Sequence, residues 1–398
     1  MRYYIIAGEA SGDLHGSNLI RELKKADQAA AIRCWGGDKM EAAGATLVKH
    51  YKDLAFMGFT EVVKNLGTIM KNLRFCKEDI LQYKPTALVL IDYPGFNLRI
   101  AKWAKQNGLT VIFYISPQVW AWKENRVKMM KQCIDKMICI LPFEKDYYRN
   151  KWNWEVEYVG HPLVEVVEQY LAGSRKPGVN SEQSEVGSRK SEDVPGSGLM
   201  TNNSRLTPTI ALLPGSRKQE ILKKLPIMLK VTKHFPEYHF VVAKAPGQED
   251  EFYAGLLAPY KNVSAVSNRT YALLSTAKAA LVTSGTATLE TALFGVPEVI
   301  CYKGNRISYW IAKRLIKIKF IGLVNLIMDK EVVKELIQHD LTPENLEFEL
   351  DELLTNKKKQ LQVQQDYAAL KQLLSLGGDA SANAARIIYD FLKEREAK

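Results

Sequence analysis

The chain holds 398 residues, 46% of them hydrophobic and 25% charged, which exceeds one ordinary core and leads us to expect two α/β domains. Its formal net charge of +11 calls for an anionic partner. No zinc-ligand spacing, RNA-binding aromatic motif or basic repeat supports nucleic acid, and a phosphorylated substrate or anionic phospholipid fits at least as well. Five scattered cysteines point to free thiols in a reducing cytoplasm, and no apolar run is long enough to span a bilayer. The opening MRYYIIAGEASGD has too short an apolar stretch for a signal peptide and reads as the start of a fold.

In chain order, Arg2–Ala7 reads as a strand, residues 8–13 (GEASGD) as a glycine-bearing turn, and residues 15–25 as the helix it opens. The turn lacks the GxGxxG spacing of a dinucleotide site. A second strand is expected at residues 31–35. In LAFMGFTEVVKNLGTIMKNLRF, residues 54–75, Phe56, Met57, Phe59, Val62, Val63 and Leu66 share one helical face, with Lys64, Lys71 and Arg74 among them. Such a face either packs on the core or lies in a membrane interface and grips acyl chains. The apolar run at 88–91 ends in Asp92-Tyr93-Pro94-Gly95-Phe96-Asn97. Open parallel sheets hold ligands just past the C-terminal ends of their strands, so Asp92 is either a general base or a helix cap. A strand at 110–115 leads into SPQVWAW, whose Trp120 and Trp122 either face a sugar or acyl chain or pack beneath the loop. Strands at 137–141 and 156–159 follow, and His161 reads as a structural turn histidine.

Residues 172–208 are rich in Gly, Ser and Pro and lack a hydrophobic period, so they read as a flexible insertion or linker between domains at 1–171 and 209–375. The strand, turn and helix grammar then returns in IALLPGSRKQEI, residues 210–221. Unpaired N–H groups at a helix N-terminus welcome an anion. Gly215 lets the backbone come close, Ser216 can donate, and Arg217 adds a planar cation suited to phosphate. Further strands are expected at Thr209–Leu213, 239–243, 263–266, Ala279–Thr283 and 299–302. After the fourth of these, Ser284, Gly285 and Thr286 offer a second anion cradle, while Glu290 is placed to accept both ribose hydroxyls or to form a salt bridge. Residues 309–319 carry Lys313 and Arg314 in a cationic patch for phosphates or lipid, the null being a solvated face. Residues 348–374 and 380–393 read as helices, and the segment 376–398 is a candidate to return to the first domain.

Two Rossmann-like halves facing a central cleft, with a nucleotide site in the second, describe an α/β GT-B glycosyltransferase. The chain also resembles the lipid-A-disaccharide synthase family. The likeness runs through GEASGD at 8–13, the Asp92 to Asn97 pattern, SPQVWAW at 116–122, LPFEK at 141–145 and VGHPL at 159–163. It continues in LLPGSR at 212–217, SGTATLE at 284–290, WIAKRL at 310–315, and VNL followed by KEL-IQ at 324–338. The resemblance implies transfer of 2,3-diacylglucosamine from UDP-2,3-diacylglucosamine to 2,3-diacylglucosamine 1-phosphate, giving the β-1,6 disaccharide 1-phosphate and UDP. An inverting displacement follows, with Asp92 as base and Glu9 and Asp13 as rivals. Arg217 and the amides of Gly215 and Ser216 would stabilise the diphosphate. Ser284, Gly285 and Thr286 would bind phosphate, Glu290 the ribose, and Asn325 part of the donor. No aspartates are spaced as D-x-D, so we expect neither a metal nor another cofactor. The substrates imply a cytoplasmic protein held peripherally at the anionic inner-membrane surface, with a homodimer left open. A UDP-sugar 2-epimerase, a different transferase, and a non-enzymatic lipid or nucleotide sensor are the alternatives. Three features depart from the family pattern: the 172–208 insertion, Val324 where many relatives carry proline, and Glu298 where a neutral residue is expected.

Overall fold

The computed structural model describes residues 1–54, 66–174, 207–245, 248–304 and 319–397. Phe56, Met57, Phe59, Val62, Val63, Lys313 and Arg314 lie outside the described residues, as do residues 175–206 and the side chain of Leu66. Two compact units divide the chain. The first takes in Met1–Glu165 and Ala369–Lys398, and the second takes in the described parts of Val166–Ser308 and Lys319–Ala368. The expected boundary at 171 lies inside the helix Pro162–Ser174 and that at 375 at the end of the helix Lys357–Ser375, while the units divide within both helices, at Glu165 and at Ala368.

In the first unit, β1 (Arg2–Ala7), β2 (Ala31–Gly36), β3 (Thr46–His50), β4 (Ala87–Ile91), β5 (Val111–Tyr114), β6 (Lys136–Cys139) and β7 (Glu157–Tyr158) form one sheet. Its order is β3-β2-β1-β4-β5-β6-β7, and every pairing is parallel. The second unit repeats this plan. β8 (Thr209–Leu213), β9 (His239–Lys244), β10 (Val263–Ser267), β11 (Ala279–Thr283), β12 (Glu298–Tyr302) and β13 (Lys334–Ile337) run in the order β10-β9-β8-β11-β12-β13, again all parallel. In each sheet the chain works outward from one central strand, then crosses back to that strand's other side. That reversal, between β1 and β4 and between β8 and β11, is the topological switch point of a doubly wound sheet.

The sequence builds these sheets because their central strands are apolar on both faces. All five residues of β4, ALVLI, are buried, as a parallel sheet covered by helices requires; each of its Leu, Val and Ile side chains contributes about 1.5–3 kcal/mol of burial. Along β8 the alternation is explicit. Ile210 and Leu212 pack with Ile221, Leu225 and Met228, whereas Ala211 and Leu213 pack with Leu273 and Leu274. Proline fixes helix starts at Pro94, Pro142 and Pro343, where the missing N–H costs nothing.

Two strands that sequence reading did not expect, β3 and β13, are sheet edges whose residues are mostly half-buried and carry no clean apolar run. The helix expected over 348–374 is two helices, Pro343–Thr355 and Lys357–Ser375. Asn356 interrupts them: its Oδ1 accepts from Lys359 N at 3.1 Å and its Nδ2 donates to Glu352 Oε2 at 2.9 Å. The last helix, Ala380–Glu396, packs on the first, Ala10–Ala26, within the first unit.

Candidate active site

At the first switch point β1 ends before Gly8 and Glu9, and β4 ends before Asp92 and Tyr93. Asp92 and Tyr93 both adopt left-handed backbone conformations, with φ of 42° and 49°. Non-glycine residues occupy that region at a cost and concentrate where function demands it. Asn97, fully buried in the next helix, holds the turn in place. Its Nδ2 donates to Asp92 O at 2.8 Å and Ile91 O at 3.1 Å, with Ile6 O at 3.4 Å. Tyr93 lies against Gly8 so closely that a Cβ there would meet the ring at 2.3 Å, so only glycine fits. The half-buried Asp92 carboxyl is pushed up to about 7, first by loss of hydration and then by the negative charge of Glu9. Two acids thus share this switch point, one of them poised to take a proton near neutral pH.

Asp13 has a different role. It is buried, and its carboxylate accepts from Gly37 N at 2.8 Å, Met40 N at 3.0 Å and Lys39 N at 3.2 Å. It anchors the start of the helix Asp38–Ala42, which removes it as a rival base. Trp120 and Glu144 join two of the motifs: the indole Nε1 donates to Glu144 Oε1 at 3.1 Å, and Leu141 N donates to Oε2 at 3.1 Å. His161 is buried, accepts from Leu163 N at 3.2 Å and is pushed down to about 3 by burial, with His15 adding to the shift. It is a structural histidine.

At the second switch point the side chains change sign. β8 ends before Pro214-Gly215-Ser216-Arg217, and the helix Lys218–Val231 starts at once. Gly215 has φ of 119°, a left-handed backbone conformation that favours glycine, and Glu220 Oε2 lies 2.8 Å from where a Cβ would stand. Ser216 and Arg217 are exposed, and Arg217 Nη1 lies 3.2 Å from Glu220 Oε1. β11 ends before Ser284, Gly285 and Thr286, where Gly285 is the residue preceding the helix Thr286–Leu293. Ser284 Oγ donates to Ile321 O at 3.1 Å. Glu290 receives the Tyr271 hydroxyl at 3.1 Å, and burial pushes its carboxyl up to about 7. The two turns therefore lie at the C-terminal ends of neighbouring strands, with Glu290 about one turn into the helix that follows the second.

Asn325 does not join them. Fully buried, it donates to Val333 O at 2.8 Å and Glu335 Oε1 at 2.9 Å, and its Oδ1 accepts from Val332 N at 2.8 Å and Val333 N at 3.0 Å. With both amide hydrogens and the carbonyl engaged, no group remains for a donor sugar. Glu335, missed from sequence, completes the arrangement by accepting from Ile321 N and Gly322 N, each at 2.9 Å. The VNL and KEL motifs thus brace the segment whose carbonyl holds Ser284.

Solved structures share this architecture. The UDP-GlcNAc 2-epimerase from Neisseria meningitidis bound to UDP-GlcNAc aligns with a TM-score of 0.66 at 12% identity, covering 99% of this chain and 100% of that one. The glycotransferase of kitacinnamycin aligns with a TM-score of 0.65 at 13% identity, covering 98% and 99%. At those identities the likeness establishes the fold, that of the GT-B class. Sequence comparison narrows it. The family profile described as lipid-A-disaccharide synthetase matches residues 3–193 and 199–388. The lipid-A-disaccharide synthase of Syntrophus aciditrophicus is 36% identical over 398 residues, 98% of each chain, and that of Nitrosococcus oceani is 37% identical over 380 residues, 94% of this chain and 92% of its own. The chain belongs to the lipid-A-disaccharide synthase family and is a glycosyltransferase that forms the lipid A disaccharide.

Proposed function

We propose that Asp92 is the general base of an inverting transfer of 2,3-diacylglucosamine from UDP-2,3-diacylglucosamine to 2,3-diacylglucosamine 1-phosphate. The acceptor 6-hydroxyl oxygen attacks the anomeric carbon in line, its proton passes to Asp92, and the bond to the diphosphate breaks with its electron pair leaving on UDP. The observation that carries this reading is the Asp92 carboxyl itself, at the end of β4 with its proton affinity raised to about 7. Glu9 raises that affinity and is the rival base. Arg217 and the amides of Gly215 and Ser216 stabilise the charge building on the leaving diphosphate. Ser284, Gly285 and Thr286 hold phosphate, and Glu290 accepts from the ribose.

The acceptor's acyl chains keep it in a bilayer, so the enzyme works peripherally at the anionic inner-membrane surface. Support comes from the +11 charge and from the helix Leu66–Tyr83, where Met70 (57% exposed) and Phe75 (45% exposed) stand beside exposed Lys71 and Arg74. Among the described residues no helix is long and apolar enough to cross a membrane.

Mass spectrometry of the protein incubated with both lipid substrates in detergent or vesicles tests the reading, beside an Asp92→Ala variant. Disaccharide 1-phosphate and UDP should form and vanish in the variant. Product from an active Asp92→Ala protein moves the base to Glu9. Epimerised UDP-sugar without disaccharide overturns the transfer reaction for this chain.

A further inference from the structure

Lys224 is a buried cation outside the roles assigned so far. Its side chain, on the helix Lys218–Val231, is only 4% exposed. An ammonium withdrawn from water needs partners, and among the described residues this one has Thr283 and Glu220. Nζ donates to Thr283 Oγ1 and lies 3.7 Å from Glu220 Oε2. Thr283 is the last residue of β11, directly before Ser284, Gly285 and Thr286. On the other side, a Cβ added to Gly215 would fall 3.5 Å from Lys224 Nζ, so the ammonium sits immediately beneath the turn that follows β8. One charge therefore touches both halves of the second switch point. The titratable and charged groups facing it are Glu220 and Arg217 from the start of its own helix and Cys301 from β12. Glu220 also pairs with Arg217. With Lys224 protonated, the trio carries one net positive charge; without its proton, none.

We propose that Lys224 is a positioning residue for a nucleoside diphosphate: it ties the turns at 215–217 and 284–286 together and leaves them net positive after Glu220 offsets Arg217. This rests on the reading of the second switch point as the diphosphate site. The lysine does not touch the ligand, since the backbone of Gly215 lies between. It acts through turn geometry and through a field that burial strengthens. Burial also pushes its proton affinity below the ordinary lysine value, against the pull of Glu220. Its charge is therefore lost at lower pH than that of a surface lysine, and diphosphate affinity should decline with it.

Calorimetry on the full chain with UDP and with uridine tests this, using wild type, Lys224→Met (similar length, no charge) and Thr283→Val. The expected result is UDP binding weakened on the order of tenfold to a hundredfold in Lys224→Met with uridine binding unchanged, and a smaller loss in Thr283→Val. Wild-type UDP affinity should also fall as pH rises, with the decline starting below the range in which an ordinary lysine loses its proton, a trend absent from Lys224→Met. Wild-type UDP affinity in Lys224→Met, or equal losses for UDP and uridine, overturns the proposal. So does a wild-type affinity that stays flat with pH, a readout independent of any variant's folding. Wild-type protein that binds no UDP removes the underlying site assignment itself.

Discussion

The two switch points share a topology and differ in charge. Both lie where an all-parallel sheet reverses direction around its central strand. The first presents Glu9 and Asp92, two acids of which one is pushed up to about 7. The second presents Arg217 and the buried Lys224 around glycine turns opening into helices. The fold supplies a crevice at the end of a strand in each case; the residues just past that strand decide whether it takes up a proton or receives an anion. Under the proposed reading, one layout with its charge reversed serves in one unit as a base for the acceptor and in the other as a sink for the leaving group.

Breaking the first half of this comparison should have the largest effect. Asp92→Asn is expected to lower turnover by about a hundred- to ten-thousandfold while leaving UDP affinity intact, measured by product formation and calorimetry. Breaking the second half should cost ligand binding in addition to turnover. Arg217→Ala is expected to lower turnover by about a hundredfold, with UDP binding weakened as well. Glu9→Gln sharpens the comparison. The base must be deprotonated, so wild-type activity should rise with pH through about 7. Removing the Glu9 charge lowers the affinity of Asp92 for its proton, and the rising limb should move to lower pH; a limb that stays in place would show that Glu9 does not set it.

The smallest expected effect on activity comes from Glu298, which opens β12 at the end of the strand away from the site. Among the described residues neither of its carboxyl oxygens has a hydrogen-bond partner, it is fully buried, and burial holds its proton affinity well above the ordinary carboxylate value. The folded chain therefore keeps a proton that the unfolded chain releases, so stability is greatest below the ordinary glutamate value and declines as pH rises. Glu298→Leu should leave turnover unchanged and raise stability at pH 8 by about 1–3 kcal/mol, with the gain shrinking toward pH 4 in thermal melts.

What the sequence disclosed follows from how local each feature is. Thr209–Leu213 and Ala279–Thr283 were legible to the residue because a strand buried on both faces must be apolar throughout. Thr46–His50 and Lys334–Ile337 were not, because edge strands meet solvent and tolerate lysine and glutamate. In the site, the turns at 215–217 and 284–286 announced themselves by glycine and small polar residues beside apolar runs. Lys224 did not, since one lysine in KQEILKKLP looks like any other until β11 is placed beside it. Asn325 misled for the same reason: its four bonds go to residues 332, 333 and 335, partners that no local pattern reveals. Asp13, the last residue of the GEASGD motif, proved to be committed to the backbone N–H groups of Gly37, Lys39 and Met40.

The packing of Ala380–Glu396 on Ala10–Ala26 carries a consequence for how the protein is made. The helix Ala10–Ala26 finds this partner only when Ala380–Glu396 emerges from the ribosome, a wait of roughly twenty to seventy seconds at ordinary elongation rates. The sheet of the second unit, β8 to β13, has no such dependence on the far end of the chain and can assemble earlier. Order of synthesis and order of completion are thus inverted between the two units.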